Sequence, residues 1–173
     1  QPLHARCYDV LRARSLDAAI EAISAGPRTC STNFVVGQAG SAAIDVEAAP
    51  DAVAVLPDES GRVVHANHFR HARQMGIAEV ISPRRHHSEH RERRLGELLT
   101  GNDWTVWDVM AALRNHDGHP NSVCRHPDPS DAGRVYESVV SVVMDLDAKA
   151  LWISDGPPCR SPYQEVRLGV GET

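Results

Sequence analysis

The stretch richest in chemistry is Gly61–Phe69, Gly-Arg-Val-Val-His-Ala-Asn-His-Phe, which delivers His65, Asn67 and His68 within four residues. Asn67 carries a neutral amide, which can aim an N–H at a developing oxyanion without itself titrating. Arg62, Val63 and Val64 read as a short strand after a turn at Asp58-Glu59-Ser60-Gly61. Strand alternation then puts His65 and Asn67 on one face and Ala66 and His68 on the other. The same residues also fit an Asn that only closes a turn at a strand end, and the local sequence leaves both readings open.

Two other groups could do chemistry. His86, His87 and His90 invite a metal reading, since His86 and His90 stand four apart. Arg84, Arg85, Arg91, Arg93 and Arg94 crowd the same run and oppose a divalent ion, so the run reads as a solvated helix start and no metal is assigned. The same basic run, through Arg91 and Arg94, could touch a phosphate-bearing ligand such as coenzyme A. The second group is the cysteines, Cys7, Cys30, Cys124 and Cys159. No two form a Cys-x-x-Cys pair, and four mostly buried thiols fit a reducing, cytoplasmic compartment. A nucleophilic thiol needs a base that is near in space rather than in sequence. Cys124 has cationic support from Arg125, while its neighbour Val123 fits a buried packing role equally well. There is no Gly-x-Ser-x-Gly, no Gly-rich phosphate loop and no His-Glu-x-x-His.

The elements that must position these residues follow from periodicity. The 173 residues fit one domain, 1–173, and the net charge of −5 gives no general electrostatic reason to bind nucleic acid. No apolar run approaches the ~20 residues of a membrane helix, and Gln1–Arg6 lacks the apolar centre of a signal peptide. Leu16, Ala19, Ile20 and Ile23 predict a helix over Arg6–Ala25, with Ser15 as a good N-cap before the apolar run and Gly26-Pro27 as the stop. Phe34–Val36, Ala42–Val46, Ala52–Leu56 and Arg62–His65 predict a four-stranded antiparallel meander. His71–Pro83 reads as a surface excursion. A helix carrying Leu95, Leu98 and Leu99 follows, then a helix over Val106–Arg114 capped by Asp103 or Thr105. Val123–Arg125 reads as a brief strand, and Ser138–Leu146, Leu151–Ser154 and Tyr163–Leu168 as three more. The fold class is α+β with mainly antiparallel sheet, in layers.

Ser31-Thr32-Asn33-Phe34, Ile44-Asp45-Val46-Glu47-Ala48-Ala49-Pro50 and above all Val64-His65-Ala66-Asn67-His68 resemble segments of the acyl-CoA:6-aminopenicillanate (isopenicillin N) acyltransferase family, which are N-terminal-nucleophile (Ntn) hydrolases. Arg91–Leu99 is similar to the family's Arg- and Leu-rich helix, Asn121–Arg125 to its Ser-Ile-Cys-Arg, and Ser138–Asp145 to its late strand. The family usually has Thr where Ala66 stands. The resemblance implies an αββα sandwich, of which this chain supplies the C-terminal portion. It implies acyl transfer through a Cys that becomes N-terminal after self-cleavage and uses its own α-amine as base, a group whose pKa lies near working pH. The chain begins with Gln1, and the family's Cys-Thr-Thr and Asn-Trp-Asp are absent from it. The expectation is therefore a subunit or fragment served by a companion chain or segment that carries the nucleophile. It would act on a small-molecule amide or acyl-CoA, with no cofactor, no nucleic acid and no membrane. By position Asn67 matches the oxyanion-hole Asn. His65 and His68 match pocket positions from which they could orient it, and Arg134 falls near a substrate-binding Ser-Arg pair whose Ser is Gly133 here. Two rivals stand beside this: a non-catalytic binding module that keeps the half-fold, and a self-contained thiol hydrolase using Cys124 or Cys30.

Overall fold

Ser15 decides how the chain begins. Its hydroxyl oxygen accepts from the Ala18 N–H at 3.2 Å and opens a fresh helix, so the single helix expected over Arg6–Ala25 is two: α1 (Leu3–Arg12) and α2 (Leu16–Ser24). Ala13 is already extended, and an extended residue before a side-chain cap resets the backbone rather than continuing it. The structure, a computed structural model, describes residues 1–56, 61–78, 84–130 and 136–167, and these group into two compact units, Gln1–Ser82 and Pro83–Thr173.

In the first unit β1 (Thr32–Gly37), β2 (Ala43–Ala48) and β3 (Val53–Leu56) pair antiparallel in that order, with Phe34 opposite Val46 and Val46 opposite Val55. Alternation along β2 divides its side chains between two jobs. Val46 and Ala48 face the core, where with Ile23 of α2 they are wholly buried and ringed by Val10, Ile20, Phe34, Val36, Ile44 and Val53. Asp45 and Glu47 point to the other face and are also buried. The fourth strand expected at Arg62–His65 does not form. That segment is held to the sheet by a side chain, His65, rather than by a ladder. Of the turn expected at Asp58-Glu59-Ser60-Gly61, all but Gly61 lies outside the described residues. Beyond the segment, Ala72 is buried and Ile77 N–H bonds Ala72 O at 2.9 Å, so the described part of the excursion after His71 is a tight turn with an anchored apolar residue.

A single cation ties α1 to α2. Arg6, 2% exposed, donates through Nη1 to the carbonyls of Ala22 (2.6 Å), Ile23 (2.8 Å) and Ala25 (2.9 Å), and through Nη2 to that of Pro27 (3.3 Å). The last carbonyls of a helix have no intrahelical donor and carry the negative end of its dipole. A planar guanidinium can serve several of them at once.

The second unit holds α3 (Arg84–Leu98), α4 (Val106–Leu113) and a second antiparallel sheet of β4 (Val140–Asp145), β5 (Ala150–Asp155) and β6 (Tyr163–Arg167). Of the two capping candidates, Thr105 is the cap. Its Oγ1 accepts from Asp108 N–H at 3.3 Å, and Asp108 Oδ2 accepts from Thr105 N–H at 2.8 Å, a reciprocal capping box. The brief strand expected at Val123–Arg125 does not form, because Cys124 N–H is drawn to the carbonyl of Asn115 at 3.0 Å and the segment bends. The α+β class with antiparallel sheets is as the sequence indicates, and no described helix is long and apolar enough to cross a membrane.

Replacing Arg6 by Ala leaves the Ala22, Ile23 and Ala25 carbonyls without this donor, while Arg28 Nη1 still serves that of Ser24 at 2.7 Å. The expected loss is about 2–3 kcal/mol, read as a lower urea midpoint with an unchanged slope. A midpoint equal to the parent's would show that water serves those carbonyls as well.

Candidate functional site

The site is built on the acidic face of β2. Glu47 is wholly buried, and a buried carboxylate must find donors for its lone pairs. Its Oε1 accepts from His65 Nε2 at 3.0 Å and from Arg70 N–H, and its Oε2 accepts from His71 N–H at 2.9 Å. Burial pushes this carboxyl upward, but the Arg70 N–H, the His65 ring and the His71 N–H together outweigh it and hold the group below its ordinary range. Asp45, two residues earlier on the same face, goes the other way. Burial raises it, and the hydrogen bond from Asn33 Nδ2 and the nearby His65 ring only partly offset that. Its Oδ2 has no hydrogen-bond partner and stands 4.0 Å from His65 Nε2.

His65 is fixed at both ends of its ring. Nδ1 lies 2.7 Å from the Ala66 carbonyl and Nε2 faces Glu47, and both neighbours only accept. His68 stacks on it, with centroids 6.1 Å apart and planes inclined by 23°. The alternation expected of a strand, with His65 and His68 on opposite faces, is thus absent, since the segment carries no ladder to impose it.

Above this base opens a cavity of about 510 Å³ lined by residues 31–33, 65–69, 77 and 78, a size suited to a small molecule. It joins Ser31-Thr32-Asn33 from the entry to β1 with His65, Asn67 and His68. Asn67 is exposed, and the backbone that carries it is pinned on one side through His65 and on the other through Arg70 and His71. Arg134 lies outside the described residues. Glu47 and Asp45 were not singled out as site residues from sequence. The signal was there, in two acids at alternate positions of an otherwise apolar strand.

The other sequence candidates fare differently. His86 is exposed with Nδ1 3.6 Å from Glu89, and His90 bonds the Asp117 carbonyl at 3.1 Å, so neither joins a group of metal ligands among the described residues. Arg94 is met by Asp117 at 3.1 Å and Glu97 at 3.2 Å, and burial with the nearby Arg125 pushes Arg91 down. Arg94 is thus compensated locally. Cys124 is wholly buried, and that burial, together with its contact to Cys159, pushes its thiol up to about 11, unlike an activated nucleophile.

The family model for acyl-coenzyme A:6-aminopenicillanic acid acyl-transferase matches residues 9–158. No curated protein matches the chain significantly.

Glu47→Gln tests the base of the site. It should cost about 3 kcal/mol, because the amide cannot accept from His65, Arg70 and His71 as the carboxylate does. The depressed carboxyl contributes stability that is present above its ordinary value of 4.5 and is lost as pH falls through the lower folded value. Asp45 contributes with the opposite sign, gaining as it takes a proton around and above 3.8. The variant should therefore show a shallower loss of stability below pH 4.5 than the parent in acid titrations followed by circular dichroism. Equal acid slopes would show that Glu47 does not govern this limb.

Proposed function

Because the chain belongs to the acyl-coenzyme A:6-aminopenicillanic acid acyl-transferase family, we propose that it works in acyl transfer from an amide or thioester, as the C-terminal part of an Ntn-type αββα enzyme. The observation that carries this reading is the placement of Asn67, exposed at a cavity of small-molecule size on a loop tied at two points to one buried carboxylate. In this role the Asn67 side-chain amide donates to the carbonyl oxygen of the substrate as negative charge gathers on it. His65 is a positioning residue, since its ring nitrogens are engaged by Glu47 and the Ala66 carbonyl. His68, stacked on it, borders the space in which the acyl group sits.

The attacking thiol belongs to a segment outside these 173 residues, whose N-terminal Cys adds to the carbonyl carbon. Collapse of the tetrahedral intermediate expels the amine or thiol and leaves a thioester, which water or an acceptor amine then resolves. The α-amine takes the thiol proton and returns it to the leaving group. Two features support an external nucleophile. Among the described residues that line the cavity there is no cysteine. And β4 exposes Val140, Val142 and Met144 along one face, continued by Ile153 and Val166, an apolar sheet surface of the sort that a layered sandwich covers.

In enzyme assembled with a segment that begins with Cys, Asn67→Ala should lower kcat by roughly 10²–10³ with little change in KM on an amide or acyl-CoA substrate. Full activity in that variant would remove Asn67 from the reaction. Denaturing mass spectrometry of the active parent should show a second polypeptide with N-terminal Cys. Activity in material containing only the 18.9 kDa chain would overturn the external nucleophile.

A further inference from the structure

The second unit holds four side chains that the acyl-transfer reading does not use. His116, Cys124, His126 and Cys159 each offer one donor atom, and the four atoms lie within 4.8 Å of one another. His116 Nε2 is 3.0 Å from His126 Nε2, and that same nitrogen is 3.6 Å from Cys124 Sγ and 3.2 Å from Cys159 Sγ. We propose that these residues form a structural zinc site that clips the loop after α4 to the turn after β5.

The distances carry the proposal. Zinc binds imidazole nitrogen at about 2.0–2.1 Å and thiolate sulfur at about 2.3 Å, in a tetrahedron. Such bonds give edges of roughly 3.3 Å between nitrogens, 3.6 Å between nitrogen and sulfur and 3.8 Å between sulfurs. The three contacts to His126 sit near those edges, and with all four atoms within 4.8 Å a nitrogen–sulfur separation needs to contract by no more than about 1.2 Å. The imidazole planes are inclined by 56° with centroids 5.0 Å apart, so the rings meet through their Nε2 atoms rather than by stacking.

The far side of the His126 ring fits the same role. Its Nδ1 is buried and has no hydrogen-bond partner, while Glu137 Oε1 stands 3.5 Å away. A zinc-ligating histidine commonly turns its other N–H to a carboxylate, which fixes the tautomer that leaves the metal-facing nitrogen free to donate. The backbone holds the ligands in place. Cys124 N–H bonds the Asn115 carbonyl at 3.0 Å, Arg125 N–H bonds Ser138 Oγ at 3.0 Å, and Arg114 Nε bonds the Pro158 carbonyl at 2.9 Å, next to Cys159. Two thiolates and two neutral imidazoles around Zn²⁺ sum to zero charge, which suits a partly buried place. With four protein ligands the site is closed, and so structural rather than catalytic. On binding, the two thiols release their protons to solvent.

The test is metal analysis of the full chain, purified under reducing conditions and equilibrated with zinc. One zinc per chain is expected, and Co²⁺ in its place should give the strong visible bands of a tetrahedral thiolate site. His116→Ala, which alters an exposed ligand, and Cys159→Ser should each abolish stoichiometric zinc, while the double variant Cys7→Ser, Cys30→Ser retains it. Glu137→Gln should weaken zinc about 10–100-fold without changing the stoichiometry. Calorimetric titration in two buffers should report proton release in the parent. The proposal is overturned if the reduced parent binds no zinc, if cobalt gives only a pale octahedral spectrum, or if His116→Ala keeps its full affinity.

Discussion

A carboxylate with no access to water governs the first unit. Glu47 cannot remain charged in an apolar sheet unless its oxygens are supplied with donors, and the chain supplies them from one loop: a ring N–H from His65 and backbone N–H groups from Arg70 and His71. The loop carries no strand ladder of its own. One side chain of β2 anchors both ends of it, at His65 and at Arg70 and His71. The neighbouring acid shows how strict this is: Asp45 has fewer donors, leaves one oxygen orphaned and is pushed toward its neutral form.

β2 can play this part because it is buried on both faces. Val46 and Ala48 fasten it to α2, and α2 is in turn closed at its C-terminal end by Arg6. A strand so held is a rigid base for a polar network. The order of dependence runs from an apolar helix–sheet contact, through a buried acid, to a histidine and then to an exposed amide beside a cavity.

Much of this was legible in the residues. Short runs between turn signals located all six described strands to within about two residues at either end, the apolar spacing located α2 and α4, and Thr105 is the helix cap as one of two candidates named. Arg62–His65 has strand-like residues, but the segment forms no ladder and is attached through the His65 side chain. Helical spacing ran through Arg6–Ala25, yet Ser15 starts a helix instead of continuing one. His65, Asn67 and His68 could be named because they are close in sequence. Glu47 was marked only by its alternation with Asp45 along an apolar strand, since its donors lie up to 24 positions away. The His/Cys cluster was less visible still: the partners of His126 stand ten, two and thirty-three positions from it, and no local pattern links them.

The double attachment of the loop to Glu47 has a kinetic side. The amides of Arg70 and His71 are sealed onto an acid inside the sheet, so they can meet solvent only if that acid is uncovered as well. A segment without regular structure would ordinarily fluctuate independently of its scaffold. Lifting this one leaves a buried carboxylate of β2 without its donors, so its opening costs more than that of an unattached loop.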